Sequence, residues 1–340
     1  MKIAVDAMGG DHAPREVVRG AVLAAREYSL SLILVGQEDR IRQELAGIDS
    51  SGAAIEVVHA SEVVEMCDVP GKALRKKKDS SIRVGLSLVS AGKASSFVSA
   101  GNSGAVMAGG LLILRRIRGV DRPAIGATIP TPHGPIVLID AGANVDCKPA
   151  HLLQFGHMGE AYSRKILGIA GPRVAVVSIG EEDSKGTDLT RDTCDLFRKT
   201  GLRFVGNLEG RDFFCGKADV FVCDGFVGNV ALKTMEGMVQ ALGTFLKSEI
   251  RKSTMAQVGA LLAERALRTV RSRMDYAEYG GAPLLGVRGG VVICHGSSDE
   301  RAIKNAIRAA GSLARAGVGD EIARSIASRG HAPATPAAQP

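Results

Sequence analysis

The sequence contains no tryptophan, and Phe and Tyr together supply only 4% of its 340 residues. A stacking platform for single-stranded nucleic acid needs several aromatic faces in a row, so nucleic acid is not an expected partner. Cysteine is sparse as well: Cys67, Cys147, Cys194, Cys215, Cys223 and Cys294 form no CxxC pair. Their spacings match no zinc site, and the expectation is reduced thiols and no metal. No apolar run reaches the roughly 18–20 residues that a membrane-spanning helix requires. The chain opens directly on the strand-like MKIAVDAM, so no signal peptide is expected. The G-x-S-x-G elbow, H-E-x-x-H and the EF-hand loop are missing too, which disfavours a covalent serine enzyme and a zinc hydrolase.

What is present describes an ordinary globular interior with unusual loops. Apolar residues make up 45% and charged residues 23%, enough for a sizeable core. Net charge is +7, which suits either a plain basic surface or an acidic partner such as phosphate, a carrier protein or an anionic membrane. The 42 glycines gather in short loops, where backbone can approach a ligand closely.

Strand-like and helix-like segments alternate. Strands are predicted at Lys2–Asp6, Leu32–Val35, Ile55–Val58, Phe97–Ser99, Ala124–Ile129, Pro135–Asp140, Arg173–Ile179, Val220–Cys223 and Val291–His295. Helices are predicted at Pro14–Glu27, Asp188–Thr200, Asn229–Ile250 and Asp299 to about Ala316. This alternation predicts an α/β fold, an open, mostly parallel sheet covered on both faces, with ligands in the loops at the carboxyl ends of the strands. One domain is expected over 1–328. A tail over 329–340 follows, and the Ala- and Pro-rich His331–Pro340 is expected to be disordered. Residues 251–273 form an amphipathic helical pattern, with Met255, Leu261, Leu262 and Val270 among basic residues that include Arg271 and Arg273.

Polar, glycine-bearing loops follow the strands. Asp6–Pro14 offers Asp6, Gly9, Gly10 and His12, and Ser99–Ala105 offers Gly101, Asn102 and Ser103. Glycines at a strand-to-helix turn expose N–H groups that suit an anion, although either loop also reads as a structural turn. The second lacks the Lys and length of a Walker loop, so ATP is not implied. Asp140–Pro149 concentrates Asn144, Asp146 and Lys148, a density of polar groups beyond that of an ordinary turn. Gly180–Gly186 carries Lys185 in a loop that also reads as a solvated acidic turn, and Asp224–Asn229 opens a long helix. His295–Asp299 closes the series, with His295 and His12 open to a proton-transfer or a purely structural role.

Taken in order, DAMGGDHAP (6–14), SAGNSGA (99–105), DAGANVDCKP (140–149), GNLEGRD (206–212), DGFVGN (224–229), YGGAPLLG (279–286) and HGSS (295–298) resemble the motif series of the PlsX family of acyl-ACP:phosphate acyltransferases. The resemblance runs from about residue 2 to 318; Ser103 stands where the family often has Thr, and Ala141 where Val is common. It implies a three-layer α/β/α sandwich like that of isocitrate and isopropylmalate dehydrogenases, working as a homodimer without a cofactor. It also implies transfer of a fatty acyl group from acyl carrier protein to inorganic phosphate, the acyl phosphate passing to a membrane acyltransferase for phosphatidic acid synthesis. The location implied is cytoplasmic, with peripheral contact at the inner membrane face. Lys185 and Asn229 match the positions implicated in catalysis. Asp6, Gly9, Gly10, His12, Gly101, Asn102, Ser103, Asn144, Asp146, Lys148, Asp224 and His295 are the substrate-binding candidates.

Three alternatives stand beside this one: a phosphate acyltransferase for short acyl-CoA, a decarboxylating dehydrogenase, and a scaffold without catalysis. The 251–273 segment suits either dimer packing or an interfacial membrane anchor. Arg271, Arg273 and the Arg75–Lys78 run are candidates to meet an acidic carrier, or are solvated basic faces.

Overall fold

The structure, a computed structural model, describes residues 1–274 and 276–327, with backbone alone for 271–274, 276 and 277. The expected tail at 329–340 and the side chains of Arg271 and Arg273 lie outside the described residues. The chain runs β1 (Lys2–Asp6), α1 (Arg15–Tyr28), β2 (Ser31–Gly36), α2 (Glu38–Ala46), β3 (Ile55–His59), α3 (Pro70–Lys76), α4 (Ser81–Ser90), β4 (Ser96–Ser99) and α5 (Ser103–Gly109), which continues into a π-helical turn at Gly110–Leu114. Next come β5 (Ala124–Ile129), β6 (Ile136–Ile139), α6 (Pro149–Ile166), β7 (Arg173–Val177), α7 (Asp188–Phe197), β8 (Arg203–Leu208), β9 (Val220–Val222) and α8 (Gly225–Arg251). The chain then forms α9 (Thr254–Leu262), α10 (Glu264–Met274), β10 (Ala282–Leu285), β11 (Gly290–Ile293), α11 (Glu300–Ala316) and α12 (Val318–Ala327).

Among the described residues, eleven strands form one sheet in the order β3-β2-β1-β4-β11-β10-β5-β6-β9-β7-β8. Side chains alternate across it. Ile3 and Val5 of β1 enter a core shared with α1, α6, α7, α11 and α12, while Ala4 faces the opposite core under α4 and α5. Farther along, Leu138, Ala175 and Phe221 pack under Ala231, Leu232 and Met235 of α8. A strand buried on both faces reads as a continuous apolar run, which is how IAV, LILV and IVLI appear in the sequence. Each fully enclosed Leu, Ile or Phe contributes roughly 1.5–3 kcal/mol, and the three-layer sandwich rests on these cores.

The sheet departs from a simple parallel arrangement at its centre. β10 pairs antiparallel with both β11 and β5, and β5 pairs antiparallel with β6. Strand direction therefore reverses between the half around β1 and the half around β9. A uniform carboxyl edge, as the sequence suggested, is replaced by two. Right-handed twist brings them back together: adjacent strands rotate by about 20–25°, so the six steps from β1 to β9 amount to about 120–150°. The result is seen in the packing, where Ala105 and Val106 of α5 share one core cluster with Ala141, and Ala143 and Leu232 pack against it.

The 251–273 segment folds as two helices: α8 ends at Arg251, Ser253 caps α9 by accepting from the Ala256 N–H at 3.3 Å, and α10 begins at Glu264. Met255, Leu261 and Leu262 of this arm are 83%, 70% and 84% exposed.

Candidate active site

The loops fall into two groups, each organised by a buried aspartate. In the first, Asp6 ends β1 and is enclosed. Its Oδ1 accepts from the Met8 N–H at 3.1 Å, and its Oδ2 accepts from the Ser99 hydroxyl at 2.7 Å. Ser99 Oγ in turn accepts from the Gly101 N–H at 3.0 Å. A Cβ on Gly9 would lie 2.4 Å from Asp6 Oδ2 and 2.6 Å from the Gly101 nitrogen, so the β1 and β4 loops meet backbone to backbone only because residue 9 is glycine. Burial pushes the Asp6 pKa up, and its hydroxyl and N–H donors partly offset this. Asn102 is likewise occupied: its Oδ1 caps α5 through the Ala105 N–H at 3.0 Å, and its Nδ2 points at the carbonyls of Glu65, Met66 and Asp68 at 3.1–3.2 Å. Asp6 and Asn102 thus hold the loops from beneath, while His12, Ser103 and His295 reach the surface. The Asp11 N–H donates to the Gly296 carbonyl at 2.8 Å, tying the β1 loop to the β11 loop, where His295 Nδ1 and Ser297 Oγ are 2.7 Å apart.

The second group is built on Asp140, the first carboxylate of the dense Asp140–Pro149 loop, though it is not among the substrate-binding candidates. Its Oδ1 accepts from Ile125, Gly142 and Ala143 N–H groups at 3.0, 3.3 and 3.0 Å. Its Oδ2 accepts from the backbone and side-chain N–H of Asn144 at 2.7 and 2.8 Å. Burial pushes its pKa up, but five N–H donors are what an ionised carboxylate wants, and the charged form is the one this geometry supports. Asn144 Nδ2 also donates to the Pro123 carbonyl at 2.8 Å, and the Asn144 carbonyl accepts from the Gly225 N–H at 2.7 Å. Asp224 is the N-cap of α8, accepting from Phe226 and Val227 N–H groups at 2.9 and 3.0 Å. The first turn of α8 rests directly on the end of β6: a Cβ on Gly228 would lie 1.9 Å from the Asp140 carbonyl oxygen.

This seating places Asn229 over Gly142, whose built Cβ lies 3.5–3.6 Å from Asn229 Cβ, Cγ and Oδ1. Asn229 is exposed, and its amide has no hydrogen-bond partner among the described residues. Lys185 sits on the loop after β7, the strand beside β9. It too is exposed and unpaired among the described residues. Glu181 and Asp212 hold Lys217 at 2.5 and 2.9 Å, and Asp183 pairs with Arg198. Asp146 and Lys148 are exposed on the β6 loop. Cys147 and Cys223 offer no thiolate. Burial, with Asp140 and Asp224 nearby, pushes Cys147 up to about 12 and Cys223 well above its usual value. Among the described residues no group of three or more His, Cys, Asp or Glu could hold a metal ion, and no helix is long and apolar enough to cross a membrane.

The arrangement offers two polar donors, partner-free among the described residues, on adjacent strand ends, and its fold is that of known transferases and dehydrogenases. A phosphotransacetylase from Streptococcus pyogenes superimposes with a TM-score of 0.62 at 21% identity, covering 93% of this chain and 94% of that one. A putative 4-hydroxythreonine-4-phosphate dehydrogenase from Salmonella typhimurium gives 0.52 at 12% identity, covering 92% and 99%. At such identities the likeness is one of fold. Sequence goes further. A family described as fatty acid synthesis protein matches residues 1–321, and the phosphate acyltransferase of Pelotomaculum thermopropionicum is 57% identical over 310 residues, 91% of this chain and 90% of that protein. The chain belongs to this family, and it is an acyltransferase.

Proposed function

We propose that the enzyme transfers a fatty acyl group from the thioester of acyl carrier protein to inorganic phosphate, with Lys185 and Asn229 as its catalytic residues. The observation that carries this is the pair of unpartnered donors, an ammonium and an amide, on the loops after neighbouring strands β7 and β9. Phosphate is a competent nucleophile at neutral pH, so no covalent enzyme intermediate is needed. A phosphate oxygen attacks the thioester carbonyl, the C–O bond forms, and the tetrahedral intermediate collapses with loss of the C–S pair to thiolate. Asn229 Nδ2 donates to the developing oxyanion. Lys185 neutralises the phosphate or that oxyanion, and the glycine-rich loops at 9–10 and 101–104 offer N–H groups to the anion. Positioning two partners is the rest of the task, and it falls to loops that Asp6 and Asp140 lock in place.

On this reading the acyl phosphate serves a membrane acyltransferase in phosphatidic acid synthesis, and the enzyme works from the cytoplasm in peripheral contact with the inner membrane face. The exposed apolar residues of α8, Met238, Leu242, Phe245 and Leu246, support a homodimer, and Leu261 and Leu262 at the arm's end support contact with lipid. The test is formation of acyl phosphate, trapped as the hydroxamate, from acyl carrier protein thioester and phosphate. No hydroxamate with the carrier donor, alongside rapid turnover of acetyl-CoA, would assign the enzyme to short-chain chemistry instead.

A further inference from the structure

Several arginines on this protein's helices form ion pairs, as Arg164 does with Glu160 and Glu321. One stretch outside the helices gathers arginines that do not. Arg115, Arg116, Arg118 and Arg122 precede β5, and Arg288 follows β10; all five are exposed, and none forms an ion pair among the described residues. Arg116 donates only to a backbone carbonyl, that of Asp121. The single acid in the stretch, Asp121, has its Oδ2 engaged by Gln154 Nε2 at 3.0 Å. Uncompensated like charges on one face raise each other's energy, and a partner of opposite charge removes that cost.

The platform beneath them is rigid. Arg116 bridges to Val287, the Arg288 N–H donates to the Arg115 carbonyl at 3.0 Å, and the Ile117 N–H donates to the Gly286 carbonyl at 3.0 Å. The segments before β5 and after β10 therefore move as one piece. That piece adjoins the candidate site. The amino end of β5, the carboxyl end of β10 and the carboxyl end of β6 share one edge of the sheet. Two hydrogen bonds lead from the Pro123 carbonyl through Asn144 to Gly225, the first residue of the helix that carries Asn229. Arg122 is close enough to act on the His151 ring, whose pKa is lowered first by burial and then by this guanidinium.

The Arg75–Lys78 run is interrupted: Lys77 is neutralised by Asp68 at 2.6 Å and donates to the Val63 carbonyl at 2.7 Å, while Arg75, Lys76 and Lys78 form no ion pair among the described residues.

We propose that Arg115, Arg116, Arg118, Arg122 and Arg288 form the docking face for an acidic protein carrier that delivers the acyl thioester to the adjacent cleft. This rests on the acyl-carrier reading above. A carrier that presents its thioester on a prosthetic arm need only dock beside the cleft, and guanidiniums carried on a tied-down backbone suit a carboxylate-rich surface through charge-assisted, bidentate hydrogen bonds. Such pairing acts mainly on encounter and is weakened by salt.

The test uses the full-length enzyme with Arg118→Glu and Arg288→Glu combined, and with both changed to Gln as a milder pair. Neither side chain makes a hydrogen bond among the described residues, so both variants should melt like the parent. The Glu pair should raise KM for the acyl carrier donor about tenfold or more at low salt, the Gln pair by less, and high salt should narrow the gap. The KM for phosphate, and turnover of acyl-pantetheine, which lacks the protein, should stay as they are. An unchanged carrier KM in both pairs overturns the proposal, as does an equal loss with acyl-pantetheine. Loss of co-sedimentation with anionic phosphatidylglycerol vesicles, at unchanged carrier KM, would hand the face to the membrane and overturn it too. A parent enzyme that makes no acyl phosphate from the carrier thioester, yet does so from acyl-pantetheine, removes the underlying reading and this one together.

Discussion

Asp140→Asn replaces one buried oxygen by an NH2 group and leaves shape nearly unchanged. The carboxylate accepts five hydrogen bonds, three at Oδ1 and two at Oδ2. In its better orientation the amide keeps its oxygen toward Ile125, Gly142 and Ala143 and turns its NH2 toward the two Asn144 donors. Two buried N–H groups then lose their acceptor, at about 1–3 kcal/mol each. Relief from burying a charge, the same desolvation that pushes the Asp140 pKa up, offsets part of this, leaving a loss of roughly 2–4 kcal/mol. Because Asn144 also seats Gly225, the α8 turn should loosen, and a sub-ångström shift of Asn229 should lower kcat by about tenfold or more with little change in KM for phosphate. With no tryptophan present, urea unfolding followed by far-ultraviolet circular dichroism reads the first effect, and the hydroxamate assay reads the second. Stability within about 0.5 kcal/mol of the parent, together with parental kcat, would refute the claim that this carboxylate organises the site.

Lys185→Ala and Asn229→Ala should each lower kcat by roughly 10²–10³ while leaving the unfolding midpoint in place, since both side chains are exposed loop or first-turn groups; near-parental rates in a folded variant would remove them from catalysis. Leu261→Glu with Leu262→Glu should abolish binding to anionic vesicles and spare turnover on soluble donor, and dissociation into monomers by light scattering would instead identify the arm as dimer packing. Glu321, gripped by Arg324 and Arg164, has its pKa lowered from 4.5 to about 2. Its contribution should be present above about pH 4.5 and fade as pH falls toward about 2, so Glu321→Gln should destabilise at pH 7 and be nearly neutral at pH 2. Screening around arginines that are 38% and 68% exposed limits the difference to about 1 kcal/mol; equal destabilisation at both pH values would contradict the assignment.

Local chemistry carried much of this protein's description. Runs such as IAV and LILV are strands in any context that buries both faces, and glycine-bearing turns after them mark strand-to-helix junctions; β1, β2, β5 and α11 appear where periodicity put them, to within a residue or so. The motif series likewise pointed to the family that sequence comparison shows. β8 and β10 escaped notice because Gly206 and Pro283 interrupt their patterns, and only pairing with β7, β5 and β11 makes strands of them. The reversal at β10 was invisible for the same reason: strand direction is a property of partners far apart in sequence. So was the division of labour among the loop residues. Asp6, Asn102 and Asn144 read as ligand groups, and in the fold their hydrogen bonds run inward, to the Met8 N–H and Ser99 hydroxyl for Asp6 and to backbone carbonyls for Asn102 and Asn144. Lys185 and Asn229, by contrast, are left without a partner among the described residues. Sequence by itself determined which residues form elements and which family chemistry they resemble. Only tertiary structure decided which polar groups are spent on holding loops and which remain free, because a hydrogen bond is claimed by whichever partner the fold brings within about 3 Å.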